Sequence, residues 1–138
     1  MIKDVGNEGD VVVFNQAFEK TRLKEIARDF PQYALEIEDI ILRLVDLMKP
    51  FQSRQYYDPE QRGSYSIKKV LPSLVPGFSY DGLNISDGGM ASVTFRNLYH
   101  EKDAEKTEEI RKDLLAYCKM DTLAMVRIYE RLVREVNG

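Results

Sequence analysis

The stretch Val11-Val12-Val13-Phe14-Asn15-Gln16-Ala17-Phe18-Glu19 decides how this chain is read. The β-branched and aromatic run Val11–Phe14 predicts a short buried strand over 10–14. Two polar residues end it, and a helical pattern follows with Leu23, Ile26 and Phe30 on one stripe. That helix is expected over 17–30, ended by Pro31, because a residue before proline is driven out of the helical region. Extending the stripe back one turn from Leu23 reaches Glu19, a carboxylate on the inward side of the helix start. Strand, turn and helix together aim that carboxylate at the carboxyl end of the strand, where open α/β sheets place their sites.

Working outward, the pattern predicts a helix over 35–44 and a second short strand over 45–48. A helix over 64–71 is expected to open on a Ser64 cap, with Pro72 near its end. Residues 90–137 contain neither Gly nor Pro. A helix is therefore expected over 89–99, then a long helix from Asp103 to Val136, single or kinked. The fold class is α/β, mostly helical with two short parallel strands, in one domain over 1–138.

The composition narrows the chemistry. Among 138 residues there is one Cys (Cys118) and one His (His100). This excludes an internal disulfide, a Cys-rich zinc site and any multi-His metal site, and it fits a reducing cytoplasm. No apolar run approaches the roughly 20 residues needed to span a bilayer, and the N-terminus carries no apolar signal region, so no membrane association is expected. A formal charge of −3 excludes a strongly basic module. The charge is uneven: residues 1–48 carry −4, residues 49–100 carry +2, and residues 101–138 carry −1. The basic middle third holds Arg62, Lys68 and Lys69 among Tyr56, Tyr57 and Tyr65, together with four of the five prolines. Such a stretch is either a solvated loop or a groove in which cations meet phosphates and rings meet bases.

In the long helix the apolar stripe runs Ile110, Leu114, Tyr117, Asp121, Met125, Ile128, Leu132, Val136. Asp121 is its one charged member. A carboxylate placed in a core costs several kcal/mol unless a cation, a helix N-terminus or a metal compensates it. Tyr117 lies one turn earlier, so its hydroxyl and the carboxylate converge. Two inward-facing carboxylates, Glu19 and Asp121, suit a divalent-metal site for phosphoryl chemistry. The competing reading makes Asp121 the cap of a helix starting at Thr122 and Glu19 a first-turn carboxylate favoured by the helix dipole. Cys118 is expected as a small core residue, and His100 on a helix surface near its end.

The same residues carry a family resemblance. The segment from Val12 to Glu19, followed by Leu23, resembles the second motif of the DnaQ-like (DEDD) exonucleases, an apolar strand running into Asn-x-x-Phe-Asp. Tyr117-Cys118-Lys119-Met120-Asp121 resembles their third motif in its tyrosine form. The segment from Gly63 to Pro72 resembles a stretch of predicted nucleases that accompany RecB-like segments. Across nearly its whole length the chain resembles the C-terminal part of a bacterial domain-of-unknown-function family with this nuclease fold. The resemblance implies a truncated ribonuclease H-like fold and metal-dependent 3′–5′ exonucleolytic hydrolysis with Mg²⁺ or Mn²⁺, acting on a single-stranded nucleic-acid end. It implies metal binding by Glu19 and Asp121, water orientation by Tyr117, and shaping of the site by Asn15 and Phe18. Lys68, Lys69 and Arg62 are the expected phosphate contacts.

Two departures qualify it. Glu19 stands where the family has Asp. The first motif, Asp-x-Glu on a leading strand, is missing; the strings Asp58-Pro59-Glu60 and Asp103-Ala104-Glu105 follow Asn15 and lie on no apolar strand. The expectation is a piece of a longer polypeptide, inactive alone, that partners its own upstream part. A strand over 11–14 without its leading neighbours would be an unpaired edge, covered by a partner chain or paired in a homodimer. The alternative is a non-catalytic helical interaction module.

Overall fold

The computed structural model describes residues 1–138. In chain order the elements are α1 (Ile2–Val5), β1 (Val11–Val13), α2 (Gln16–Asp29), a 3-10 turn (Pro31–Tyr33), α3 (Ala34–Leu42), β2 (Leu44–Asp46) and α4 (Lys49–Gln52). A second 3-10 turn (Pro59–Gln61), α5 (Ile67–Leu74), α6 (Gly88–Leu98) and α7 (Ala104–Asn137) follow. The chain forms two compact units, Met1–Ile67 and Lys68–Gly138. The architecture is mostly helical with two short parallel strands, as the sequence pattern predicts.

In the first unit the chain leaves β1, descends through α2 and α3, and returns in β2 parallel to β1. Val11 pairs with Leu44, Val12 with Val45 and Val13 with Asp46. Parallel strands need such a crossover because a tight turn cannot reverse the chain twice. The first strand therefore has a neighbour on one side, and in this two-stranded sheet its other edge has no strand beside it. Leu23, Ile37, Ile40 and Leu44 form the buried core, with Val11, Val13, Ile26, Ile41, Ile2 and Val5 packed against it. Each such side chain, fully buried, contributes roughly 1.5–3 kcal/mol.

Arg43, between α3 and β2, fastens the loop that precedes β1. Its guanidinium donates to the carbonyls of Gly6 (2.7 Å), Glu8 (3.2 Å) and Gly9 (2.9 Å), and pairs with Asp39 one turn back at 2.8 Å. A planar fork with five donors can serve four acceptors at once.

In the second unit α7 runs unbroken for 34 residues. Asp103 caps it, accepting from the backbone N–H of Glu105 and Lys106. Asp58 caps the second 3-10 turn through Glu60 N–H. Both Asp-x-Glu strings are thus helix starts. Because α7 is continuous through Asp121 and Thr122, the reading of Asp121 as a cap after a break is overturned. Helix α5 starts at Ile67 rather than Ser64. The Ser64 hydroxyl instead accepts from Ser66 N–H at 3.3 Å, a local turn that competes with helix. Ile128 is buried on the α7 stripe and Ala124 is buried beside it, whereas Val136 at the end of the stripe is exposed. Cys118 is exposed, not a core residue.

Candidate functional site

The sequence-nominated residues fall into two groups, one in each unit. In the first unit Asn15 is the N-cap of α2. Its backbone is left-handed (φ 78°, ψ 70°), and its side chain accepts from Phe18 N–H at 3.4 Å. Asn tolerates this conformation better than most residues because its short amide can bond locally. The turn sets Glu19, half-buried, in the first helical turn. Phe18 is more than half exposed, with the Arg22 guanidinium over its ring at 5.6 Å.

Sequence reasoning missed the carboxylate that organises this corner. Asp46, at the end of β2, accepts three backbone N–H groups: Asn15 and Met48 on Oδ1 and Gln16 on Oδ2, each at 2.9 Å. A carboxylate beside the positive end of α2 is doubly favoured, by these charge-assisted bonds and by the helix dipole. Its signal was present: an acid directly after an apolar strand, the logic that singled out Glu19. The bond from Met48 N–H also explains why β2 stops at Asp46, two residues before the strand expected over 45–48.

In the second unit the structure brings Tyr117 and Asp121 together and adds a residue that the sequence did not nominate. Tyr80 donates its hydroxyl proton to Asp121 Oδ1 at 2.6 Å. The rings of Tyr80 and Tyr117 lie 6.2 Å apart, tilted by 48°. Burial, and after it the bond to Asp121, pushes the Tyr80 phenol well above the ordinary range. Burial likewise raises the Tyr117 phenol, reinforced by Asp121 and by the charge of Asp87. Asp87 caps α6 through Met90 N–H at 2.7 Å, and the Tyr117 hydroxyl reaches the start of that helix, where a Cβ on Gly88 would meet it at 3.6 Å. At neutral pH both phenols therefore keep their protons, and the Tyr80 hydroxyl donates its proton to the Asp121 carboxylate.

The basic residues are dispersed between the units. Arg62 is exposed after the second 3-10 turn, while Lys68 (half-buried) and Lys69 (exposed) lie at the start of α5. His100 is exposed just beyond α6, edge-on to Tyr99. No group of three or more His, Cys, Asp or Glu side chains converges as a metal cluster. No helix is long and apolar enough to cross a membrane.

Residues 1–66 match the model of a family described as a domain of unknown function, DUF2779. Among curated proteins the chain is 29% identical over 140 residues to the uncharacterized protein UU173 of Ureaplasma parvum serovar 3, covering 89% of this chain and 20% of that protein. It is 31% identical over 129 residues to the uncharacterized protein MG366 homolog of Mycoplasma pneumoniae, covering 85% of this chain and 19% of that protein. A similar match is to the uncharacterized protein MG366 of Mycoplasma genitalium, at 30% identity. The chain thus spans about a fifth of the length of the curated relatives it matches. No solved structure matches it significantly.

Proposed function

We propose that residues 1–138 supply the second and third acidic positions of a divalent-metal-dependent 3′–5′ exonuclease of ribonuclease H-like fold. The observation that carries the reading is Asp121, a half-buried carboxylate on the apolar stripe of an uninterrupted helix, with Tyr117 one turn before it. Glu19 adds a second carboxylate in the first turn after β1. In proteins as long as the matched relatives, the first-motif acids would come from the four-fifths that this chain does not span.

The donor chemistry fits Mg²⁺ or Mn²⁺, hard cations that accept one or two carboxylates and complete their shell with water and substrate phosphates. Such an ion supplies an activated water and neutralises charge developing at the phosphodiester. Asp121 in the second unit and Glu19 in the first are the carboxylates that each unit would offer to such an ion. Tyr117 is held protonated by its raised pKa, so it acts by donating a hydrogen bond that orients the attacking water, not as a base. Lys68, Lys69 and Arg62 would contact phosphates of a single-stranded end.

One observation favours a second reading, a non-catalytic helical interaction module: the Tyr80 bond already satisfies Asp121 without a cation. Mn²⁺ titration followed by electron paramagnetic resonance separates the two. The nuclease reading expects Mn²⁺ binding that weakens at least tenfold in Asp121→Asn, and 3′-end degradation of single-stranded DNA or RNA by the full-length protein with Mn²⁺. No binding, or binding indifferent to Asp121→Asn, leaves the interaction module.

A further inference from the structure

We propose that Tyr80 is a positioning residue for Asp121: its phenol, carried on the strap formed by residues 75–87, fixes the direction in which that carboxylate faces. The strap runs antiparallel to α7 and is fastened to it at three points. Phe78 lies under the Arg127 guanidinium at 5.4 Å, Tyr80 bonds Asp121, and Asn84 Nδ2 donates to both oxygens of Asp113 at 3.1 and 3.2 Å. Within the strap, Ser79 and Asp81 close a local turn, the serine hydroxyl donating to the Asp81 carboxylate at 2.8 Å and accepting from its N–H. Tyr80 is 6% exposed, so little water competes for its hydroxyl. A phenol-to-carboxylate bond of 2.6 Å lies in the short, charge-assisted range.

An aspartate in mid-helix has two accessible χ1 wells, and an exposed one samples both. The Tyr80 bond selects one of them, and with it which oxygen faces away from the strap. The strap therefore sets the aim of the side chain assigned above to metal binding. The link to metal rests on that reading; the selection of a rotamer does not.

The test uses the whole chain, wild type and Tyr80→Phe, which keeps the ring and removes only the donor. Hα–Hβ couplings of Asp121 measured by nuclear magnetic resonance are expected to report one rotamer in the wild type and averaging in Tyr80→Phe. Mn²⁺ affinity is expected to fall at least fivefold in Tyr80→Phe, a change that a merely structural tyrosine would not produce in a folded variant. Averaged couplings in the wild type, which need no variant, overturn the inference, as do couplings or Mn²⁺ affinity unchanged by Tyr80→Phe. A wild-type chain that binds no Mn²⁺ but shows the coupling change sinks the nuclease reading and leaves the clamp standing.

Discussion

The carboxylate of Asp46 accepts the backbone N–H of Asn15, 31 residues earlier, at 2.9 Å, and so joins the ends of the two parallel strands to the start of α2. The same carboxylate takes Gln16 N–H and Met48 N–H. Asp46→Ala leaves three backbone donors to find water or go without. Net losses of about 1 kcal/mol per cap, larger for bonds to a charged group, add to an expected destabilisation of about 2–3 kcal/mol. Asp46→Asn, which keeps one acceptor oxygen, should fall between. Urea unfolding followed by circular dichroism checks both; wild-type stability in Asp46→Ala would mean that the three bonds are not populated.

Asn15 offers a test whose sign separates backbone from side chain. At φ 78° a β-carbon is strained, and the amide also caps the helix through Phe18 N–H. Asn15→Gly loses the cap but relaxes the backbone, so its stability should stay within about 0.5 kcal/mol of wild type. Asn15→Ala loses the cap and keeps the strain, for a cost of about 2 kcal/mol. Equal losses in the two variants would show that the left-handed turn is not formed.

Arg43 is expected to tolerate no lysine. Its fork reaches three carbonyls of the loop before β1 while holding Asp39. Lys carries a compact charge on a flexible stem and cannot reproduce that geometry. Arg43→Lys should cost about 1–2 kcal/mol and speed proteolytic nicking of residues 6–10. Unchanged cleavage would show that the loop is held by something else.

The parts of this fold that the sequence made legible are those governed by local patterning. The Val11–Val13 strand, the α2 stripe ended by Pro31, and the length of α7, free of Gly and Pro, follow from periodicity and punctuation alone. Asp121 stood out because one charge on an eight-residue apolar stripe breaks a period. Tyr80 did not, because its partner lies 41 residues away and its own segment is a loop with no period to break. Asp46 differs: an acid at the end of an apolar strand is a visible signal, but its three partners are backbone N–H groups, which no side-chain pattern names. Ser64 misled because a serine hydroxyl serves a turn as readily as a helix cap.

The two phenols around Asp121 give the fold a defined alkaline limit. Both are raised above the ordinary phenol range, by burial first and then by the Asp121 carboxylate. Below about pH 10 the folded and unfolded chains both keep these protons, so the stabilisation they provide is fully present. Above it the unfolded chain releases protons that the folded chain retains, and stability falls as pH rises toward the folded-state values. Asp121→Asn removes the charge that helps hold the protons, so the phenols should ionise at lower pH and the decline in melting temperature between pH 10 and 12 should become shallower. The variant should also be less stable at pH 7, having lost a charge-assisted bond. Melting curves across pH 7–12, with ionisation followed by tyrosinate absorbance, check both. Parallel slopes for wild type and Asp121→Asn would show that burial alone raises the phenols and that the carboxylate does not face them in solution.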